Sequence, residues 1–162
     1  MRGRGSGDTN EFYASQRKES QPKTWPAWDG DDGYVEGARE PFGYLLTLDM
    51  YRCRPAVLGS LEEVYRYLES LADSLGMHKQ APPYVLRSPD DFPSKKGISA
   101  WLPLIESGIS VHTLEERGFV SVDIYCCHKF DVNTVLAVSK LYFAPEDIDL
   151  HEIKRGVRYH AE

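Results

Sequence analysis

Residues 98–127 read ISAWLPLIESGISVHTLEERGFVSVDIYCC, three strand-like runs separated by turn-forming residues. The runs are Ile98 to Ile105, Ile109 to Thr113 and Phe119 to Cys126, and Glu115-Glu116-Arg117-Gly118 makes the turn before the last. Side chains alternate between the two faces of a strand. In the last run Val120, Val122, Ile124 and Cys126 therefore share one uniformly apolar face, and Phe119, Ser121, Asp123, Tyr125 and Cys127 share the other. In the middle run Ile109, Val111 and Thr113 face one way, Ser110 and His112 the other. The apolar faces predict a core-facing sheet surface, with Cys126 a buried thiol and Cys127 on the polar side. A lone histidine on a strand is usually structural. His112 and Cys127 on the polar faces of hairpin-linked strands make a stronger pair of candidates.

Working outward, Tyr44 to Tyr51 reads as another strand. Ser60 then suits a helix N-cap, with Glu63 closing a capping box. Leu61, Val64, Tyr65, Leu68, Leu71, Ala72 and Leu75 follow at helical spacing, and Gly76 ends the helix. Tyr84 to Arg87 is a short strand, and residues 88–97 form a polar loop. Asp131 caps a second helix, Val132 to about Phe143, stopped by Pro145. Ile148 to Ile153 is the last strand. The expected fold is α+β, a two-layer sandwich of a largely antiparallel sheet with two helices on one face. Residues 1–42, rich in Gly, Ser, charged residues and Pro, read as a flexible extension with Trp25, Trp28, Tyr34 and Phe42 as possible docking points; residues 43–162 form the domain.

A length of 162 residues suits one core, and the net charge of −6, with no basic stripe, argues against nucleic-acid binding. No apolar run spans a membrane and no secretory h-region is present, so a cytoplasmic location is expected. Cys53, Cys126 and Cys127 do not make a disulfide framework, and with the five histidines they form no metal-binding spacing.

Glu106-Ser107-Gly108-Ile109-Ser110-Val111-His112-Thr113 resembles the self-processing site of the short bacterial and archaeal S-adenosylmethionine decarboxylases, in which a Glu-Ser bond is cut and a His-Thr pair follows. Gly97-Ile98-Ser99, Glu116, the run Gly118 to Cys127, Asp131 and Glu152 to Gly156 fit the same family. So does the first strand, Gly43 to Cys53. The resemblance implies that Ser107 becomes a covalent pyruvoyl group, splitting the chain into residues 1–106 and 107–162. It implies that His112 removes a proton during that conversion, that Ser99 supports it, and that Cys127 is the catalytic acid. Glu116 would hold the substrate's ribose and Phe92 would stack on its adenine. The pyruvoyl carbonyl would take the substrate's amine as a Schiff base and withdraw the electrons left by departing carbon dioxide. A homodimer of two-chain protomers is implied as well.

Ser107 and His112 are an odd number of residues apart, so the strand is expected to bend or bulge between them, with Gly108 well placed for it. Gly108 also stands where the family usually has histidine, and Leu114-Glu115-Glu116 where it has Trp-Pro-Glu. The pairs Asp90-Asp91 and Glu115-Glu116 suit either ordinary solvated turns or a basic substrate. The leading expectation is decarboxylation of S-adenosylmethionine for spermidine synthesis. The alternatives are a related arginine or ornithine decarboxylase, and an uncleaved, inactive homologue that regulates a partner.

Overall fold

A six-stranded, wholly antiparallel sheet organises the chain, its strands in the spatial order Tyr84–Arg87, Ile98–Leu104, Ser107–Leu114, Phe119–Cys126, Gly43–Tyr51 and Asp147–Arg155. The computed structural model describes residues 41–89 and 91–159. Trp25, Trp28, Tyr34 and Asp90 lie outside the described residues. The strands are β1 (Gly43–Tyr51), β2 (Tyr84–Arg87), β3 (Ile98–Leu104), β4 (Ser107–Leu114), β5 (Phe119–Cys126) and β6 (Asp147–Arg155). The helices are α1 (Pro55–Leu58), α2 (Leu61–Ser74) and α3 (Val132–Phe143). The α+β sandwich is as expected, with a third, single-turn helix added. Phe42, one of the docking points named for the extension, has its ring centroid 4.6 Å from that of Tyr159.

Alternation puts Leu46, Leu48, Met50, Ile98, Leu102, Ile109, Val111, Val120, Val122 and Ile124 on the inner face, each at most 1% exposed. Against them α2 buries Val64, Tyr67, Leu68, Leu71 and Ala72, and α3 buries Val135 and Phe143. Tyr67 Oη and Ser139 Oγ, 2.8 Å apart, satisfy each other where the two helices meet. The caps follow their local chemistry. Ser60 Oγ accepts from the Glu63 N–H at 3.2 Å, and Gly76 adopts φ +67 beyond the helix end. The reciprocal half of the expected capping box is not made, because the Ser60 N–H already bonds Val57 O in the turn of α1. Asp131 accepts from the Thr134 hydroxyl at 2.7 Å and from the Asn133 and Thr134 N–H groups, which pulls its carboxyl below the usual range.

Thr113 joins three elements. Its hydroxyl accepts from the Ile98 N–H (2.8 Å) and donates to Leu58 O (2.7 Å), tying β4 to β3 and α1. The outer face of the sheet is different. Ser99, Trp101, Ser110, His112, Ser121, Asp123, Tyr125, Leu45 and Thr47 are all half-exposed or exposed there. The strands on either side of the Glu106-Ser107 bond interleave. β1, from upstream, lies between β5 and β6, both from downstream, and β3 pairs with β4.

Candidate active site

Leu104 and Ser107 face each other across the β3–β4 hairpin, so Ile105 and Glu106 are its two turn residues. Two-residue hairpins prefer mirror-image turns with positive φ inside the loop. Neither Ile105 nor Glu106 has positive φ; the excursion falls on Ser107, at φ +147. A residue with a Cβ is strained there, at a cost on the order of 1–3 kcal/mol. The Glu106-Ser107 bond thus joins a turn to a strained strand residue. The Glu106 carbonyl continues the ladder by accepting the Cys127 N–H at 3.0 Å. Such a donor polarises a carbonyl toward attack and stabilises the oxyanion that attack creates.

No bulge separates Ser107 from His112. Pairing of β4 with β5 runs unbroken from Ser107↔Cys126 to Leu114↔Phe119, so the expected kink at Gly108 is corrected. Gly108 has another reason to be glycine. A Cβ there would lie 2.9 Å from Trp101 Nε1 and 3.1 Å from Leu102 O. The Trp101 indole, stacked 6.1 Å from Tyr84, fills the space a side chain at 108 would need. Trp101, Gly108, Ser110, Asp123 and Tyr125 line a shallow pocket beside Ser107.

Expected site residues fall into two groups. Glu106, Ser107 and Cys127 meet at one end of β4. Ser99 and His112 are register partners nearer the other end, with Ser99 Oγ 3.0 Å from His112 Nδ1. His112 lies five positions along the strand from Ser107, roughly 16 Å at the rise of a β-strand. Glu116 lies beyond the far end of β4. Phe92 is on that side too, because its loop returns through a Glu115 N–H to Lys96 O bond of 3.0 Å. Phe92 is 59% exposed and open to a ligand. Within one chain His112 does not reach Ser107, nor does it meet Cys127.

The thiols separate as their faces predict. Cys126 is buried, and loss of solvation pushes its pKa up to about 11; the same cause raises Cys53 to about 11. Cys127 is half-buried, with Sγ 3.7 Å from His128 Nδ1. Glu115 is not available to a cationic substrate. Arg87 Nη1 at 3.1 Å and Lys96 Nζ at 3.5 Å already engage it, which leaves Glu116 as the exposed carboxylate of that pair. Two residues of this region carried no sequence motif: Trp101, and His78, which grips Glu106. Among the described residues no cluster of His, Cys, Asp or Glu suits a metal ion, and no helix is long and apolar enough to cross a membrane.

A model of the S-adenosylmethionine decarboxylase family matches residues 44–156. The chain belongs to the S-adenosylmethionine decarboxylase family. It is 30% identical over 115 residues to the S-adenosylmethionine decarboxylase proenzyme of Clostridium botulinum (strain Hall), covering 70% of this chain and 94% of that protein. It is 29% identical over 120 residues to the proenzyme of the same name from Thermococcus kodakarensis, covering 73% and 79%. The crystal structure of the Aquifex aeolicus adenosylmethionine decarboxylase superposes with a TM-score of 0.62 at 22% identity, over 72% of this chain and 92% of that one. That likeness concerns the fold. As a member of a decarboxylase family the chain is an enzyme with a small-molecule substrate.

Proposed function

We propose that this decarboxylase-family chain is a proenzyme that cuts itself between Glu106 and Ser107 and then decarboxylates S-adenosylmethionine, the substrate in its relatives' names. The observation that carries the cleavage is the Glu106 carbonyl held on the Cys127 N–H, next to a strained Ser107. Ser107 Oγ adds to that carbonyl carbon, its proton passes to the departing nitrogen, and the peptide becomes an ester. Removal of the Ser107 α-proton then expels Oγ with Glu106 as a carboxylate. Water replaces the nitrogen, which leaves as ammonia. The covalent pyruvoyl group so formed supplies an electron-withdrawing carbonyl for decarboxylation. Cys127, half-buried beside this end of β4, is the acid that returns a proton to the substrate carbon.

His112 is the base for the α-proton. His112 Nδ1 lies 3.0 Å from Ser99 Oγ, and the neutral tautomer that donates Nδ1–H to that oxygen has its lone pair on Nε2. The separation of roughly 16 Å along β4 supports a base contributed by a second copy. The proposed enzyme is a homodimer in which each Glu106, Ser107 and Cys127 group is completed by the other copy's Ser99, His112, Phe92 and Glu116. The open outer sheet face, which carries Ser99 and His112, is the surface that would meet the second copy. Phe92 would stack on the adenine and Glu116 would hold the ribose. Pairing of Glu115 with Arg87 and Lys96 takes one of the two carboxylates of the acidic turn away from an arginine or ornithine substrate.

Two differently tagged chains, Ser107→Ala and His112→Ala, test both parts when co-expressed and weighed by denaturing mass spectrometry. The His112→Ala chain should be cut after Glu106 in the mixture and stay whole alone, and the wild type should release carbon dioxide from S-adenosylmethionine. A His112→Ala chain cut equally well alone would remove His112 from the mechanism. A wild type that stays whole would point to the uncleaved regulatory homologue.

A further inference from the structure

Glu106 contributes the carbonyl that is attacked, yet its own side chain is the one buried carboxylate among the described residues. Both oxygens go to one residue. Oε1 lies 2.5 Å from His78 Nδ1, and Oε2 accepts the His78 N–H at 3.1 Å. His78 is itself fixed to the strand end. Its carbonyl accepts the Ile105 N–H at 2.8 Å, Lys79 bridges Leu104, and the Gln80 N–H bonds Pro103 O at 3.0 Å. Residues 78–80 therefore form a short backbone rail along the last residues of β3. The imidazole stands half in solvent while the carboxylate it holds does not.

A turn residue gripped by its side chain at one end and by its carbonyl at the other has little freedom to rotate. The backbone N–H at 78 would still hold Oε2, but loss of the imidazole would leave Oε1 buried without its partner, which is costly and would drive Glu106 toward water. That rotation would carry the carbonyl off the Cys127 N–H. Reaction rates fall steeply when an attacked carbonyl leaves its aligned position. Cleavage also gives Glu106 a second carboxylate, and an imidazole able to carry positive charge is already in contact with the first.

We infer that His78 is a positioning residue for self-cleavage, holding Glu106 so that its carbonyl stays on the Cys127 N–H. The inference rests on the reading of Glu106-Ser107 as the cut bond. The full-length chain is made by cell-free synthesis, and cleavage is followed in time by denaturing intact mass. His78→Ala should slow cleavage about 10-fold or more, the effect expected when a charge-assisted contact to the reacting residue is lost. His78→Asn, whose amide nitrogen can stand where Nδ1 stands, should recover a rate within about 3-fold of wild type. Carbon dioxide release per cleaved His78→Ala chain should stay within about 3-fold of wild type, which separates maturation from turnover. His78→Ala cut at the wild-type rate would overturn the proposal. So would His78→Asn as slow as His78→Ala, with both melting equally early, since His78 would then serve the fold alone. A wild-type chain that stays whole would instead overturn the cleavage reading on which the proposal rests.

Discussion

Gly108 and Trp101 should be energetically coupled, and the coupling has a magnitude that can be worked from the geometry. A Cβ at 108 would approach Trp101 Nε1 to 2.9 Å, where non-bonded contacts prefer about 3.5–4.0 Å. Leu102 O, at 3.1 Å, is backbone and cannot swing away. The half-exposed indole can, but only by leaving the Tyr84 ring, a contact worth about 0.5–1.5 kcal/mol. Overpacking of this kind costs about 1–3 kcal/mol. Replacing a strand glycine by alanine returns about 0.5–1 kcal/mol of backbone entropy. Gly108→Ala should therefore destabilise the chain by about 1 kcal/mol. In a Trp101→Val background only the 3.1 Å contact with Leu102 O remains, so the same change should be about neutral, a coupling of about 1 kcal/mol. Urea denaturation of the four chains, all carrying Ser107→Ala so that none is cut, measures it. Equal effects of Gly108→Ala in both backgrounds, within about 0.3 kcal/mol, would refute the idea that the indole holds this position to glycine.

Other outcomes follow from the same geometry. Ser107→Gly and Ser107→Ala should both remain whole, with the glycine chain more stable by about 1 kcal/mol because only it relaxes at φ +147; an alanine chain of equal or greater stability in urea would deny the strain. Cys127→Ala keeps the backbone N–H, so intact mass should show normal cleavage while turnover per cleaved chain drops about 100-fold or more, the usual worth of a positioned acid or base; full turnover would remove Cys127 from the acid role. At pH 8 iodoacetamide should modify Cys127 well before Cys53 or Cys126, whose burial holds both near pKa 11. Their raised values mean that the stability contributed by the buried thiols is complete below the unfolded thiol pKa of about 8.5 and is lost as pH climbs toward 11. Urea midpoints that rise between pH 8.5 and 11 would reverse that sign.

Much of the fold is legible because it rests on strong, short-range signals. Alternation in Val120, Val122, Ile124 and Cys126 marks the inner face of β5, and Ser60 and Asp131 mark helix starts. Helix α1 escapes notice because Pro55-Ala-Val-Leu58 is one turn long and has no period to detect. The candidate site is legible in residue types but not in arrangement. Alternation tells which face His112 occupies, not that it lies five rises along the strand from Ser107. Gly108 invites a bulge on local grounds, and only the packing of Trp101 from the neighbouring strand explains it otherwise. His78 follows a helix with no motif around it. Its role comes from pairing with a segment 28 residues away, which no local pattern encodes.

The interleaving of strands bears on what maturation does to folding. After a cut at Glu106, β1 of the upstream piece still has downstream strands on both sides, and β3 still pairs with β4. Neither piece can leave without tearing main-chain ladders through the middle of the sheet, so the break frees no subunit. It does change the order of the reaction in reverse. The precursor folds as a unimolecular process, its loops closed by the chain itself. The mature molecule, once denatured, would have to find its other half by collision, at a rate set by concentration, and could not rebuild the bond that first brought them together. Each molecule would then have a single opportunity to fold as one chain, and its later persistence would be governed by how slowly it unfolds.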